Sequence, residues 1–448
     1  MAACLTSALL ALALAQGTSA PPRPTDGYAP PTVEGTDVVA TPAPFSLVSE
    51  DERIPDGVPF IPSMGAPPRS TEGLFLDLAF LSEVRARTLT TSSTSPVWGS
   101  DIEATPGLAL NLRTSTLDLS MGYAPRLTVP FGTGAFQLAV LNRATFQAAW
   151  RVEPNWTLTA LGLFVVGDYS QLNPASTPGG AGPPPPVLSP VRSFLTYPYV
   201  GIDTTLRVDG TLSPRSRIRL GGGYFDVGGT GPVGQANQPR AWGPQAEAEF
   251  SWDAARTATL TTSAKAQDWI MSGNYSTILA TVTEAWRQAW TAELETTLAA
   301  GPGFSNRTVE SRTAAGHVVP VASLRLEYRE RVRQPLHVGV EAMLAPYFDP
   351  YLGYPYQRFT FGGTIDWRPS DAWQLAASLT AAVAPYTLRV PESYGSAGLS
   401  ANFAPVPFLI LTAGGTSQRQ FQGATDGGGT FRQWTAYFSV ALHDRIPF

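Results

Sequence analysis

Along most of this chain, apolar and polar residues trade places at every second position, a period that suits a β-strand with one dry and one wet face. Between Phe136 and Trp150, Phe136, Leu138, Val140, Ala144, Phe146 and Trp150 share one face, opposed by Gln137, Arg143, Thr145 and Gln147. From Arg358 to Arg368, Phe359, Phe361, Ile365 and Trp367 oppose Arg358, Thr360, Thr364, Asp366 and Arg368. Thr257 to Gln267 places Thr257, Thr259, Thr261, Ser263, Lys265 and Gln267 on its polar side. The expected strands are about 10 to 15 residues long, and many apolar faces end in Trp, Tyr or Phe. Length and aromatic ends together fit a lipid-facing band with interfacial girdles better than a soluble sandwich.

The connections test that reading independently. About 18 strands are expected from Thr71 onward. Every second connection is tight, around Thr114, Glu153-Pro154, Asp209-Gly210, Asp253-Ala254, Ala289, Val332-Arg333, Pro369-Ser370 and Pro405. The others are mostly long and rich in Gly and Pro: 87–104, 169–194, 228–239 and 422–430. Short turns on one side and long loops on the other mark an antiparallel up-and-down transmembrane β-barrel. The fold expected is therefore all-β, with about 18 strands (16–18) and an even count that places both termini in the periplasm.

In hydrocarbon every backbone amide must pair within the protein, which a closed sheet achieves without an edge. The outward side chains need only be apolar, while the inward face can carry charge. Parity assigns to that inward face Asp77, Arg113, Asp118, Arg143, Asp203, Arg207, Arg217, Arg219, Glu247, Glu249, Lys265, Glu293, Glu295, Arg325, Glu327, Arg329, Arg358, Asp366 and Arg368. An Arg turned to lipid at mid-depth would cost roughly 2–4 kcal/mol, so parity is strongly enforced there. The run Leu324 to Arg333 reads as a strand with a charged inner face, serving either as a ladder that contacts solute or as cross-strand pairs that fill the lumen.

Residues 1–20 form an expected signal peptide, an apolar run followed by small residues, with cleavage after Ala15 or Ala20. Residues 21–70, rich in Pro, Thr, Ala and Gly, are expected to form a disordered periplasmic leader, and 71–448 the barrel. The only cysteine, Cys4, falls in the signal region, so no disulfide or thiolate chemistry is expected beyond it. With 30 basic against 35 acidic residues, nothing suggests a nucleic-acid partner. His317, His337 and His443 are spread over two rims, so no metal, cofactor or catalytic site is expected. Gly229-Thr230-Gly231-Pro232-Val233-Gly234 satisfies GxGxxG but contains Pro, opens no helical pattern and precedes a strand, so it reads as an outer loop.

The last strand carries Trp434, Ala436, Phe438, Val440, Leu442, Asp444, Ile446 and Phe448 on one face and ends on Phe448. It resembles the closing strand of bacterial outer-membrane β-barrels. That resemblance implies that Phe438, Val440, Leu442, Ile446 and Phe448 act as an assembly signal for the barrel-assembly machinery, and it implies a bacterial outer-membrane location with lipid as partner. In strand number, size and Pro-rich leader the chain resembles the stand-alone barrels that carry exopolysaccharide out in Wzx/Wzy-type pathways. The resemblance implies a channel translocating polysaccharide or sugars, with periplasmic polysaccharide export components as partners. A general diffusion porin for small solutes and a non-conducting structural or adhesive barrel are the alternatives.

Overall fold

The computed structural model describes residues 73–91, 94–131, 138–170, 196–237, 239–271, 275–309, 312–313, 316–330, 335–349, 354–370, 372–383, 393–406, 408–421 and 431–447. The expected signal peptide, leader and most long loops lie outside these residues, as does Phe448. The wall strands, in chain order, are β1 (Gly73–Thr91), β2 (Thr94–Arg113), β3 (Leu117–Tyr123 continued by Arg126–Phe131), β4 (Ala139–Glu153), β5 (Trp156–Ser170) and β6 (Thr196–Ser213). Next come β7 (Ser216–Gly229), β8 (Ala241–Ala255), β9 (Ala258–Met271), β10 (Tyr275–Ala289), β11 (Leu294–Val309) and β12 (His317–Glu330). The remainder are β13 (Leu336–Asp349), β14 (Tyr354–Ser370), β15 (Trp373–Val383), β16 (Ser393–Val406), β17 (Leu409–Phe421) and β18 (Phe431–Pro447). A two-residue segment, Arg312–Thr313, extends the edge of β11, and one short helix, α1 (Gly231–Asn237), caps the β7–β8 connection.

Each strand pairs antiparallel with its neighbour in sequence, and β1 pairs both with β2 and with β18, so the sheet closes on itself as an 18-strand barrel. Phe75 opposes Pro447 and Val84 opposes Phe438 along the closing seam. Within β3 the ladder is interrupted at Pro125, which has no N–H to donate, and both halves pair with β2 and β4.

Most of the tight connections fall where expected in order, though several sit a few residues later, and Val332-Arg333 lies outside the described residues. Asp209 and Gly210 lie within β6, because the alternation continues through Thr211, paired with Arg217. Within the segment expected as a loop, 87–91 and 94–104 are strand. β1 and β2 continue as one long hairpin in which Leu89 opposes Val97 and Thr91 opposes Thr94. Its Ser, Thr and Gly residues suggest a loop locally, yet cross-strand pairing carries the ladder through them. The second half of the GxGxxG segment, from Gly231, does open a helix, α1, contrary to the expectation of no helical pattern; at seven residues it makes about two turns within the loop.

Candidate functional site: the barrel interior

Residues that face one another across an antiparallel pair share a side of the sheet. Starting from buried Asp77, Glu83 and Arg85 and following the register around the ring returns to the same three residues, so one face is continuous. The opposite face carries the exposed large apolar side chains, such as Phe80, Leu110, Phe164, Phe250, Leu298, Phe359 and Phe438. In a closed barrel the first face is the interior.

Its most enclosed part lies over β1–β3. Arg85 donates from Nε to Asp101 Oδ1 at 2.6 Å and from a terminal nitrogen to Glu103, with Glu83 3.4 Å from Nε. Arg126 Nε reaches the other Glu103 oxygen at 2.6 Å. Asn111 donates to Asp77 Oδ2 at 2.7 Å. Arg85 is only 2% exposed, so this side of the interior is filled by an ion-pair core rather than by water. Sequence reading missed it by taking 87–104 as a loop; the odd-numbered set Glu83, Arg85, Asp101 and Glu103 was the available signal.

Of the parity-assigned residues, Arg113, Arg143, Arg207, Arg217, Arg219, Glu247, Glu249, Lys265, Glu295, Arg325, Glu327 and Asp366 stand on this same face by register. Arg329 opposes His337 at the short-turn rim, and Arg358, which is buried, opposes Ala345. Arg368, exposed, follows two positions after Asp366 and donates its backbone N–H to the Pro335 carbonyl at 2.9 Å.

Several of them meet. Asp209 accepts from Arg207 at 3.0 Å and from Arg219 at 2.8 Å, and Arg219 lies 3.6 Å from Glu249. Glu295 takes a two-pronged contact from Arg287 at 2.6 and 2.7 Å. Glu327 receives both Arg325 and Arg329, and Arg113 lies 3.8 Å from Asp118. Glu247 and Lys265 are direct cross-strand neighbours. Glu293 is a correction: it sits in the bend before β11, not on the wall. There Thr291 Oγ1 accepts from the Glu293 and Leu294 backbone N–H groups at 3.1 and 3.0 Å and donates to the Glu293 carboxylate at 3.0 Å, closing the turn.

Two features had no counterpart in the sequence reading. Near the long-loop rim the interior carries an apolar cluster of Phe225, Val227, Ala241, Trp269 and Met271, with the Phe225 and Trp269 rings 4.6 Å apart between centroids. Alternation separates faces but does not say which level of the inner face is wet. Conversely, Glu284 is exposed on the outer face, held by Thr262 Oγ1 at 2.8 Å. Asp226 there takes a two-pronged contact from Arg240 at 2.8 and 2.6 Å.

On the closing strand Phe438, Leu442, Asp444 and Ile446 are exposed on the outer face, with Val440 half-buried among them. Among the described residues no group of His, Cys, Asp and Glu is placed to hold a metal ion.

A closed ring of strands, apolar outside and charged or hydroxylated inside, defines an outer-membrane β-barrel of the channel-forming class. The chain belongs to the EpsX exopolysaccharide export family, whose family model matches residues 78–405. Among solved structures, OccAB4 of Acinetobacter baumannii is similar at 9% identity and TM-score 0.45, covering 85% of this chain and all (100%) of that one. OccK11 (OpdR) of Pseudomonas aeruginosa is similar at 14% identity and TM-score 0.42, covering 83% and 98%. The FrpB iron transporter of Neisseria meningitidis (F3-3 variant) gives 9% and 0.45, covering 78% of this chain and 63% of that chain. No curated protein sequence matches the chain.

Proposed function

We propose that this barrel conducts a polysaccharide across the outer membrane, with the short-turn rim facing the periplasm and the long loops facing outward. The observation that carries the reading is the match of the export family over 78–405, which runs from β1 into β16 of a closed barrel. Sixteen to eighteen strands leave room for an aqueous lumen. Ser, Thr, Gln and Asn between the ion pairs supply the donors and acceptors that a polyhydroxylated chain can exchange for water. Periplasmic export components would deliver the chain, and no bond-making step is assigned to the barrel itself.

Reconstitution in planar bilayers and deletion in the native host test this together. A stable conductance step and loss of surface polysaccharide on deletion are expected. Intact surface polysaccharide after deletion would sink export and leave diffusion of small solutes. A folded barrel without conductance would favour the non-conducting reading, for which the buried Arg85 core is the supporting observation.

A further inference from the structure

The interior wall is chemically uneven. On β15–β17 the described inward side chains include Gln374, Ser378, Thr380, Ser400, Asn402 and Thr412, and β18 continues with Thr435 and Ser439. From Gln374 to Ser439 none of the described inward side chains is charged. Ala376 and Gly398 project little, and the Tyr437 ring of β18 lies over Gly414, whereas the neighbouring β1–β3 wall is filled by the Arg85 network. This side of the interior is therefore a neutral strip rich in hydroxyls and amides.

At the short-turn end of this strip, polar groups stand in adjoining register positions. His337 opposes Asp366, Gln374 donates from Nε2 to Asp366 Oδ2 at 2.7 Å, and Gln374 opposes Asn402. Gln374 and Asn402 are 7% and 3% exposed. Yet Gln374 Oε1 and Asn402 Oδ1 have no hydrogen-bond partner among the described residues, and neither has His337 Nε2. Buried acceptors without a donor are costly and uncommon in folded chains. Two carbonyl oxygens a strand apart call for a ligand that brings several O–H donors. An anionic chain would instead seek forked Arg contacts, which the rim residues Arg329 and Arg368 could offer at the mouth. Beside Gln374, however, it would meet the Asp366 carboxylate, and along the strip no cation among the described inward side chains.

We propose that Asp366, Gln374 and Asn402 form a saccharide subsite at the short-turn mouth, opening onto the neutral strip of β15–β18, and that it takes an uncharged glycan chain in preference to an anionic one. This rests on the polysaccharide-conducting reading above. The test uses the full chain in planar bilayers, with linear neutral gluco-oligosaccharides and oligogalacturonates of matched length as probes. The neutral probe is expected to interrupt the current and the anionic probe to do so far less. Q374A/N402A should shorten the neutral blocked time by about five- to twenty-fold, as for one or two lost hydrogen bonds. N402D, which keeps its acceptors, should fall between that variant and the parent, and Thr281→Ala on β10 should block like the parent.

Heat-modifiable mobility verifies that each variant is folded. Equal blockade by parent and double variant, or stronger blockade by the anionic probe, overturns the subsite while leaving the channel intact. A barrel that does not conduct sinks the channel reading instead. Calorimetric titration of the same probes into the folded parent and double variant then decides the subsite on its own: tighter parent binding of the neutral probe supports it, and equal binding overturns it.

Discussion

Arg85 and Asp101 face each other across the β1–β2 hairpin inside the barrel, with Nε and Oδ1 2.6 Å apart and side chains 2% and 1% exposed. Removing the cation would leave Glu83, Asp101 and Glu103 crowded without their shared partner. Arg85→Met is expected to destabilise the folded barrel by about 3–5 kcal/mol, the range for breaking a buried pair from one side. Urea unfolding followed by tryptophan fluorescence checks this, and Arg85→Met combined with Asp101→Leu should recover part of the loss.

Leu399 and Ser400 are adjacent at the middle of β16 but point to opposite faces, and Leu399 is 69% exposed on the outer one. Leu399→Arg is expected to cost roughly 2–4 kcal/mol, the penalty for Arg at mid-membrane depth. Ser400→Arg should cost less in folding, and in bilayer recordings it should narrow the pore and shift it toward anions. Equal folding costs for the two variants would contradict the assignment of faces.

The seam can be tested chemically. The chain has one native cysteine, Cys4, so introduced pairs report cleanly once it is replaced. Cysteines at Val84 and Phe438, which oppose each other, should be cross-linked by mild oxidant in the folded protein. Cysteines at Val84 and Leu442, two pairs out of register, should not. Non-reducing gel mobility distinguishes the two.

Two glycines on the inner face are predicted to differ sharply in tolerance. A Cβ at Gly301 would lie 1.9 Å from the Val282 carbonyl oxygen, whereas at Gly362 it would meet nothing within 4 Å. Gly301→Ala should therefore cost about 1–3 kcal/mol through backbone displacement, and Gly362→Ala little. Parallel denaturant titrations of the two variants decide it.

Strand faces were legible because alternation is enforced where one side meets lipid, as Phe359, Phe361, Ile365 and Trp367 illustrate on β14. The number of wall strands was legible for the same reason, although the long connection expected at 87–104 proved to be mostly strand. What escaped the sequence depends on partners distant along the chain. The β1–β2 hairpin persists through Ser and Thr because each residue has a mate across the ladder, which local composition does not report. Phe225 and Trp269 pack inside the barrel because that level is dry, although their parity is that of the polar face. Gln374 and Asn402 carry no charge, so a search for charged lumen residues passes over them; their interest lies in unmet acceptors that only coordinates reveal.

The seam between β1 and β18 has a further consequence for biogenesis. Every other pairing joins strands that are neighbours along the chain, while this one brings Phe75 to Pro447. Ring closure across that span, treated as a free loop, costs roughly 5 kcal/mol of chain entropy, against a far smaller cost for each hairpin. Closure is thus the latest and least local event, and until it occurs both terminal strands present raw edges. A chain halted anywhere before its last strand would offer a sheet with no way to shut, a species better suited to proteolysis than to membrane insertion.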